Sequence, residues 1–105
     1  GIDLLEQDDS IDGNASYFPI LINKKFRISR DKLYEALKKE NIYARRYFFP
    51  LITQTIMYKS IPSSSKKNLP IANKISHQIL CLPLSSDLDE NSINRIVRVI
   101  INLAN

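Results

Sequence analysis

From Asp89 onward the chain places apolar residues at helical spacing. Ile93, Ile96, Val97, Ile100, Leu103 and Ala104 share one face, Val99 and Ile101 flank it, and Asn94, Arg95, Arg98 and Asn102 lie opposite. Asp89 suits the N-cap, and Glu90 suits the positive first turn. A stripe of this length has to be covered by other elements, which restricts the chain to folds in which helices lie on a sheet or on each other.

The remaining segments supply that cover. Tyr17-Phe18-Pro19-Ile20-Leu21-Ile22 is continuously apolar and reads as a strand, with Pro19 calling for an edge position or a bulge. Ser29 as N-cap, Asp31 in the first turn, Leu33, Ala36 and Leu37 at helical spacing, and Lys38 and Lys39 in the last turn predict a helix over about 30–40. Ile42 to Phe48 reads as a second strand. Residues 51–68 show no clear period. Asn68 reads as a cap for a helix with Pro70 in its first turn and Ile71, Ala72, Ile75 and Ile79 as its buried stripe. Leu80-Cys81-Leu82 is a short strand stopped by Pro83. The expected fold is α+β: a small three-stranded, mostly antiparallel sheet with about three helices packed on it. Residues 1–14 are acidic and polar and read as a lead-in or linker, and residues 15–105 as the domain.

Composition excludes several functions. A chain of 105 residues fits one domain. With only Gly1 and Gly13, no glycine-rich phosphate loop is available. No apolar stretch approaches the ~20 residues of a membrane span. One His and one Cys do not make a zinc site, and the lone Cys81 rules out an internal disulfide and points to a reducing, cytoplasmic compartment. The net charge of +4 is compatible with anionic ligands. The start, Gly1-Ile2-Asp3, carries neither an initiator Met nor a signal segment, so the chain is expected to be a piece of a longer protein.

The run Asn41-Ile42-Tyr43-Ala44-Arg45-Arg46-Tyr47-Phe48-Phe49-Pro50 carries the chemistry. Arg offers planar, permanently charged donors for phosphate or carboxylate, the aromatics offer rigid contact area, and Pro50 fixes the chain's exit. On a strand Arg45 and Arg46 point to opposite faces, while Tyr47 and Phe49 share one. Arg45, Arg46, Tyr47 and Pro50 are the candidate substrate-binding residues. Surface ion pairs for the arginines and core packing for the aromatics account for the same residues, and such structural roles are commoner than ligand contacts.

Two segments carry a resemblance. Phe26 to Pro50, FRISRDKLYEALKKENIYARRYFFP, and Asn68 to Leu88, NLPIANKISHQILCLPLSSDL, followed by the amphipathic helix after Asp89, resemble successive blocks of the DegT/DnrJ/EryC1/StrS sugar aminotransferases. The likeness runs over about residues 15–104 and covers only the C-terminal small domain of such an enzyme. It implies a fold-type-I, pyridoxal-phosphate-dependent parent that moves an amino group from glutamate to a nucleotide-linked, dTDP-bound keto-deoxysugar. It also implies an upstream large domain holding the cofactor, a homodimer with its active site at the interface, and a role in surface polysaccharide or antibiotic sugar synthesis. The nucleotide's pyrophosphate or the glutamate carboxylate would then be the anion met by Arg45 or Arg46.

No lysine here matches the family's Schiff-base position. Lys24, Lys25, Lys38, Lys39, Lys66 and Lys67 sit in charged stretches, whereas a catalytic Lys needs a desolvated or cationic setting. No catalytic residue is assigned, and the fragment alone is expected to be inactive and to bind no cofactor. Ser29-Arg30-Asp31-Lys32 fits a Ser-x-x-Lys pattern without its companion motifs and reads as a helix cap. His77 reads as a surface residue, and Cys81 as a small core hydrophobe. The alternative function is a small basic nucleic-acid-binding module stacking bases on the run Arg45-Arg46-Tyr47-Phe48-Phe49, but the run lacks the glycines of that signature.

Overall fold

The computed structural model describes residues 1–6, 10, 13–14 and 16–105. Among them lie three strands, β1 (Ile2–Leu4), β2 (Phe18–Ile22) and β3 (Ile79–Leu82), and three helices, α1 (Arg30–Lys39), α2 (Pro70–Ser76) and α3 (Glu90–Ala104). The sheet runs β1-β2-β3 and is antiparallel throughout, with Asp3 opposite Leu21 and Ile20 opposite Leu80. This is the expected α+β fold, but one strand comes from a different place.

The third strand is β1, inside the segment read as a lead-in. Ile2-Asp3-Leu4 alternates apolar and polar. Ile2 packs on the core, and Asp3 accepts a 2.9 Å hydrogen bond from the Asn23 side chain. Most of the expected lead-in from residue 7 onward lies outside the described residues.

Ile42 to Phe48 is not a strand. Helix α1 ends in a Schellman motif: Asn41 adopts φ 57°, its N–H donates to Lys38 O at 3.0 Å, and Ile42 N–H donates to Leu37 O at 2.9 Å. Ile42 is therefore committed to the helix end. The chain then pairs with β3 through an isolated bridge between Arg45 and Cys81, which exchange two backbone hydrogen bonds of 2.8 Å. At Phe48 φ turns to 45°, which ends any extension.

The Arg45–Cys81 pair also explains how Pro19 sits in a central strand. Cys81 turns both its backbone groups to Arg45, so its partner across the sheet, Pro19, turns its own backbone away from β3. On that side β1 has already ended, with Leu4 opposite Ile20. The missing Pro N–H therefore leaves no ladder bond unmade.

Ile20 and Ile22 of β2, Leu80 of β3, Leu33 and Leu37 of α1, Ile96 of α3, Ile42 and Ala44 form the core. Both Leu33 and Leu37 are fully buried, one turn apart on the face of α1 that lies on the sheet. Both expected N-caps form: Ser29 Oγ accepts from Lys32 N–H at 3.3 Å, and Asp89 Oδ1 from Ser92 N–H at 2.8 Å. Helix α3 meets the core through Ile96, Val99, Ile100 and Leu103, while Ile93, Val97 and Ile101 stay about half exposed. For α2 the expected stripe is only partly realised. Ile71 is exposed, Ile79 belongs to β3, and Leu69 rather than Asn68 is the N-cap. Asn68 instead donates to Ser63 O at 3.2 Å, closing the loop before the helix.

Candidate functional site

The two arginines diverge, as neighbours on an extended chain do. Arg46 turns to α1: its guanidinium carbon lies 4.6 Å from the Tyr34 ring centroid and 5.4 Å from that of Phe49, and Nη1 is 3.5 Å from Asp31 Oδ1. Arg45 turns the other way, where its side chain is exposed and helps line a small cleft of about 110 Å³ with Tyr17, Tyr43 and Pro83.

Tyr47 and Phe49 do not share a face. Tyr47 packs edge-on against Tyr17 at 5.1 Å and against Phe48 at 4.2 Å. Phe49 faces Arg30 at 4.7 Å and the His77 ring at 5.4 Å. The positive φ at Phe48 breaks the alternation that would have aligned them. Pro50 follows Phe49 through a cis peptide bond and is exposed. The candidate residues thus divide into two groups. One is open and aromatic, with Arg45, Tyr17, Tyr43 and Tyr47. The other is closed and cationic, centred on Phe49.

Arg30 is the residue that sequence reasoning missed. It is 1% exposed. Its Nη1 donates to Ile79 O at 3.0 Å, which joins α1 to the start of β3. Nε lies 2.9 Å from Asp31 Oδ1, but the angle makes this an ion pair without an aligned hydrogen bond, and Nη2 has no hydrogen-bond partner among the described residues. Burial lowers the guanidinium pKa, with the Asp31 charge opposing it. Asp31 serves Arg30 and Arg46 together. The one available signal was the position of Arg30 directly after the Ser29 cap, with Asp31 beside it.

His77 is exposed, as expected, and closes α2. Cys81 is buried, and desolvation raises its thiol pKa against the opposing charge of Arg45, so it behaves as a small hydrophobe. The Ser-x-x-Lys pattern is a cap: Lys32 donates its backbone N–H to Ser29, and its side chain is exposed. Among the described residues no group of three His, Cys, Asp or Glu is placed to hold a metal. No helix there is long and apolar enough to cross a membrane.

All nine lysines are exposed. None has the desolvated surroundings that make an amine reactive near neutral pH.

Residues 2–101 match the DegT/DnrJ/EryC1/StrS aminotransferase family, from β1 into the last turns of α3. The chain belongs to that family. It is 45% identical over 101 residues to a dTDP-4-amino-4,6-dideoxy-D-glucose transaminase of Escherichia coli, and 41% identical over 88 residues to one of Shigella dysenteriae. It spans 27% and 23% of those relatives, about a quarter of each. A DegT DnrJ EryC1 StrS aminotransferase from Brucella abortus has the same fold over 99% of this chain and 26% of its own, with a TM-score of 0.78 at 21% identity. A putative PLP-dependent aminotransferase from Bacillus cereus superposes over 95% of this chain and 25% of its own, with a TM-score of 0.76 at 26% identity. The match to this aminotransferase family takes in β1, which sequence reasoning had left outside the domain.

Proposed function

We propose that this chain is the C-terminal small domain of a pyridoxal-phosphate-dependent sugar aminotransferase. The parent transfers an amino group from glutamate to a dTDP-linked keto-deoxysugar, and this domain closes over the substrate. The 45% identity to the Escherichia coli transaminase carries the reading, because it extends over 101 of 105 residues. The domain comprises residues 15–105 together with β1, since β1 completes the sheet.

The exposure of every lysine supports a division of labour. An upstream large domain holds the cofactor and the reactive amine, and the cofactor there supplies the electron sink for amino transfer. This chain contributes binding and closure and is inactive alone. Arg45 is the better placed of the two arginines to meet an anion, because it is exposed and no side chain among the described residues pairs with it. Tyr47, beside it, offers a flat apolar surface for a sugar or base. Arg46 is engaged with Asp31, Tyr34 and Phe49 and acts on the substrate through the position of the 47–50 turn. The parent is a cytoplasmic homodimer serving surface polysaccharide or antibiotic sugar synthesis.

The test is the full-length protein mixed with pyridoxal phosphate, glutamate and a dTDP-4-keto-6-deoxyhexose. The expected outcome is a visible absorbance that borohydride bleaches by fixing the cofactor to a lysine outside these 105 residues, with formation of an amino sugar nucleotide. A parent that stays colourless and forms no amino sugar overturns the reading.

A further inference from the structure

The first turn of α1 and the 46–50 turn share one carboxylate. Asp31 Oδ1 lies 2.9 Å from Arg30 Nε and 3.5 Å from Arg46 Nη1. The two guanidinium groups also share one ring, Phe49, with their carbons 4.7 and 5.4 Å from its centroid. Arg46 covers a second ring, Tyr34, at 4.6 Å. Tyr34 lies three residues after Asp31 and is its neighbour on the surface of α1. Among the described residues no other carboxylate pairs with either cation. Burial lowers the Arg30 guanidinium pKa, the charge of Asp31 opposes that, and the charge of Arg46 adds to the lowering. The two cations thus repel each other across Phe49, and Asp31 offsets the repulsion. They are not equally free to respond. Arg30 is buried and bonded to Ile79 O, whereas the Arg46 side chain is 37% exposed and can swing into water. Without the carboxylate it is Arg46 that leaves, and with it go the contacts that tie the turn to α1.

We propose that Asp31 is a positioning residue for the substrate-binding run: its shared carboxylate lets Arg30 and Arg46 rest on the same ring, and so fixes where Tyr47 and Arg45 stand toward the substrate. The proposal rests on the reading of that run as the wall that meets a nucleotide-linked sugar. Asp31 touches no substrate and acts through Arg46 and Phe49. A half-exposed ion pair at 3.5 Å contributes little to stability by itself. The effect comes from one charge serving two cations, of which one is buried and is costly to leave uncompensated. Asp31 also favours α1 through the helix dipole, as any acid in a first turn does. That second role does not depend on Arg30, so a double-mutant cycle separates the two.

The experiment makes Asp31→Asn, Arg30→Met and the two together in the full-length parent. Asn keeps the shape of Asp and removes its charge, and Arg30→Met leaves Arg46 as the one cation of the pair on Phe49. Asp31→Asn is expected to raise KM for a dTDP-4-keto-6-deoxyhexose about tenfold, with kcat within about twofold, the loss of roughly one charge-assisted contact. In the Arg30→Met background the same substitution should raise KM less than about threefold. Amide exchange at Arg45 and Cys81, whose paired backbone bonds adjoin the turn, reads the same cycle without substrate. It should be faster by about fivefold or more with Asp31→Asn alone, and restored by adding Arg30→Met. An unchanged KM for Asp31→Asn overturns the proposal. So does an equal effect in both backgrounds, which would leave only the dipole of α1. If Asp31→Asn does not fold, recovery of folding on adding Arg30→Met supports the shared charge, and no recovery overturns it. A parent that forms no amino sugar but shows the exchange pattern keeps the positioning of the turn and removes the aminotransferase reading. An active parent with an unchanged KM does the reverse.

Discussion

The guanidinium of Arg30 stacks 4.7 Å from the centroid of the Phe49 ring, and Arg46 reaches the same ring at 5.4 Å. One phenyl group thus lies against a buried cation from the start of α1 and a half-exposed one from its own turn. Asp31 lies within 3.5 Å of both cations. This arrangement fixes where the 46–50 turn leaves the domain, and with it the position of Tyr47 and Arg45.

Arg30 acts here through volume and through its bond to Ile79 O, because its carboxylate partner is exposed and one of its nitrogens has no hydrogen-bond partner among the described residues. Arg30→Ala leaves a cavity and an unbonded carbonyl, and is expected to cost about 2–4 kcal/mol in urea unfolding. Arg30→Met keeps most of the volume and removes a desolvated charge, so its expected cost is below about 1.5 kcal/mol. Equal losses for the two variants would mean that the charge itself, not the packing, stabilises the turn.

The neighbouring arginines are predicted to separate function from stability. Arg45→Ala removes an exposed cation that has no side-chain partner among the described residues and should leave the thermal midpoint unchanged, while lowering kcat/KM of the parent by about tenfold or more, the loss of one charge-assisted contact. Arg46→Ala breaks a weak ion pair and two ring contacts, and should cost about 1 kcal/mol. Steady-state kinetics and thermal unfolding on the same two variants decide it. The assignment is reversed if Arg46→Ala changes only kinetics and Arg45→Ala only stability.

Asn41 occupies the left-handed region at φ 57°, where Asn and Gly are tolerated and β-branched residues are not. Asn41→Gly is expected to be neutral or slightly stabilising, and Asn41→Val to cost about 1–2 kcal/mol. Denaturant midpoints of the two variants measure the difference, which would vanish if α1 ended without the Schellman turn.

Asp89 caps α3, and hydrogen bonds from Ser92 hold its carboxyl below the usual carboxylate range. A depressed folded-state pKa contributes stability above the unfolded value, near 3.9, and that contribution is lost as pH falls through the folded value. Asn caps without titrating. The stability of the unsubstituted protein should therefore fall relative to Asp89→Asn as pH drops below about 4. Parallel pH profiles from circular dichroism of the two would show that the cap carboxylate is not coupled to folding.

Local rules made the helices legible. Ser29 and Asp89 read as caps and are caps, and the spacing of Leu33, Leu37, Ile96 and Leu103 reports faces that do meet the core. The divergence of Arg45 and Arg46 also followed from backbone geometry alone. The misread strand at Ile42 to Phe48 failed because β-propensity measures how side chains suit a half-buried pleat, not whether a partner strand is available. Conversely, β1 was hidden by its acidic neighbours, though its three residues alternate apolar and polar in sequence.

The amino-acid order by itself set the α+β class, the N-caps of α1 and α3, and the family resemblance. Only the tertiary structure decided that β1 rather than the aromatic run joins the sheet, that Arg30 is buried beneath Phe49, and that the apolar residues of 52–61 face outward. Capping and periodicity act within a few residues and leave a local trace. Strand pairing and the burial of a charge depend on groups brought together from distant parts of the chain, and no single segment carries a record of its partner.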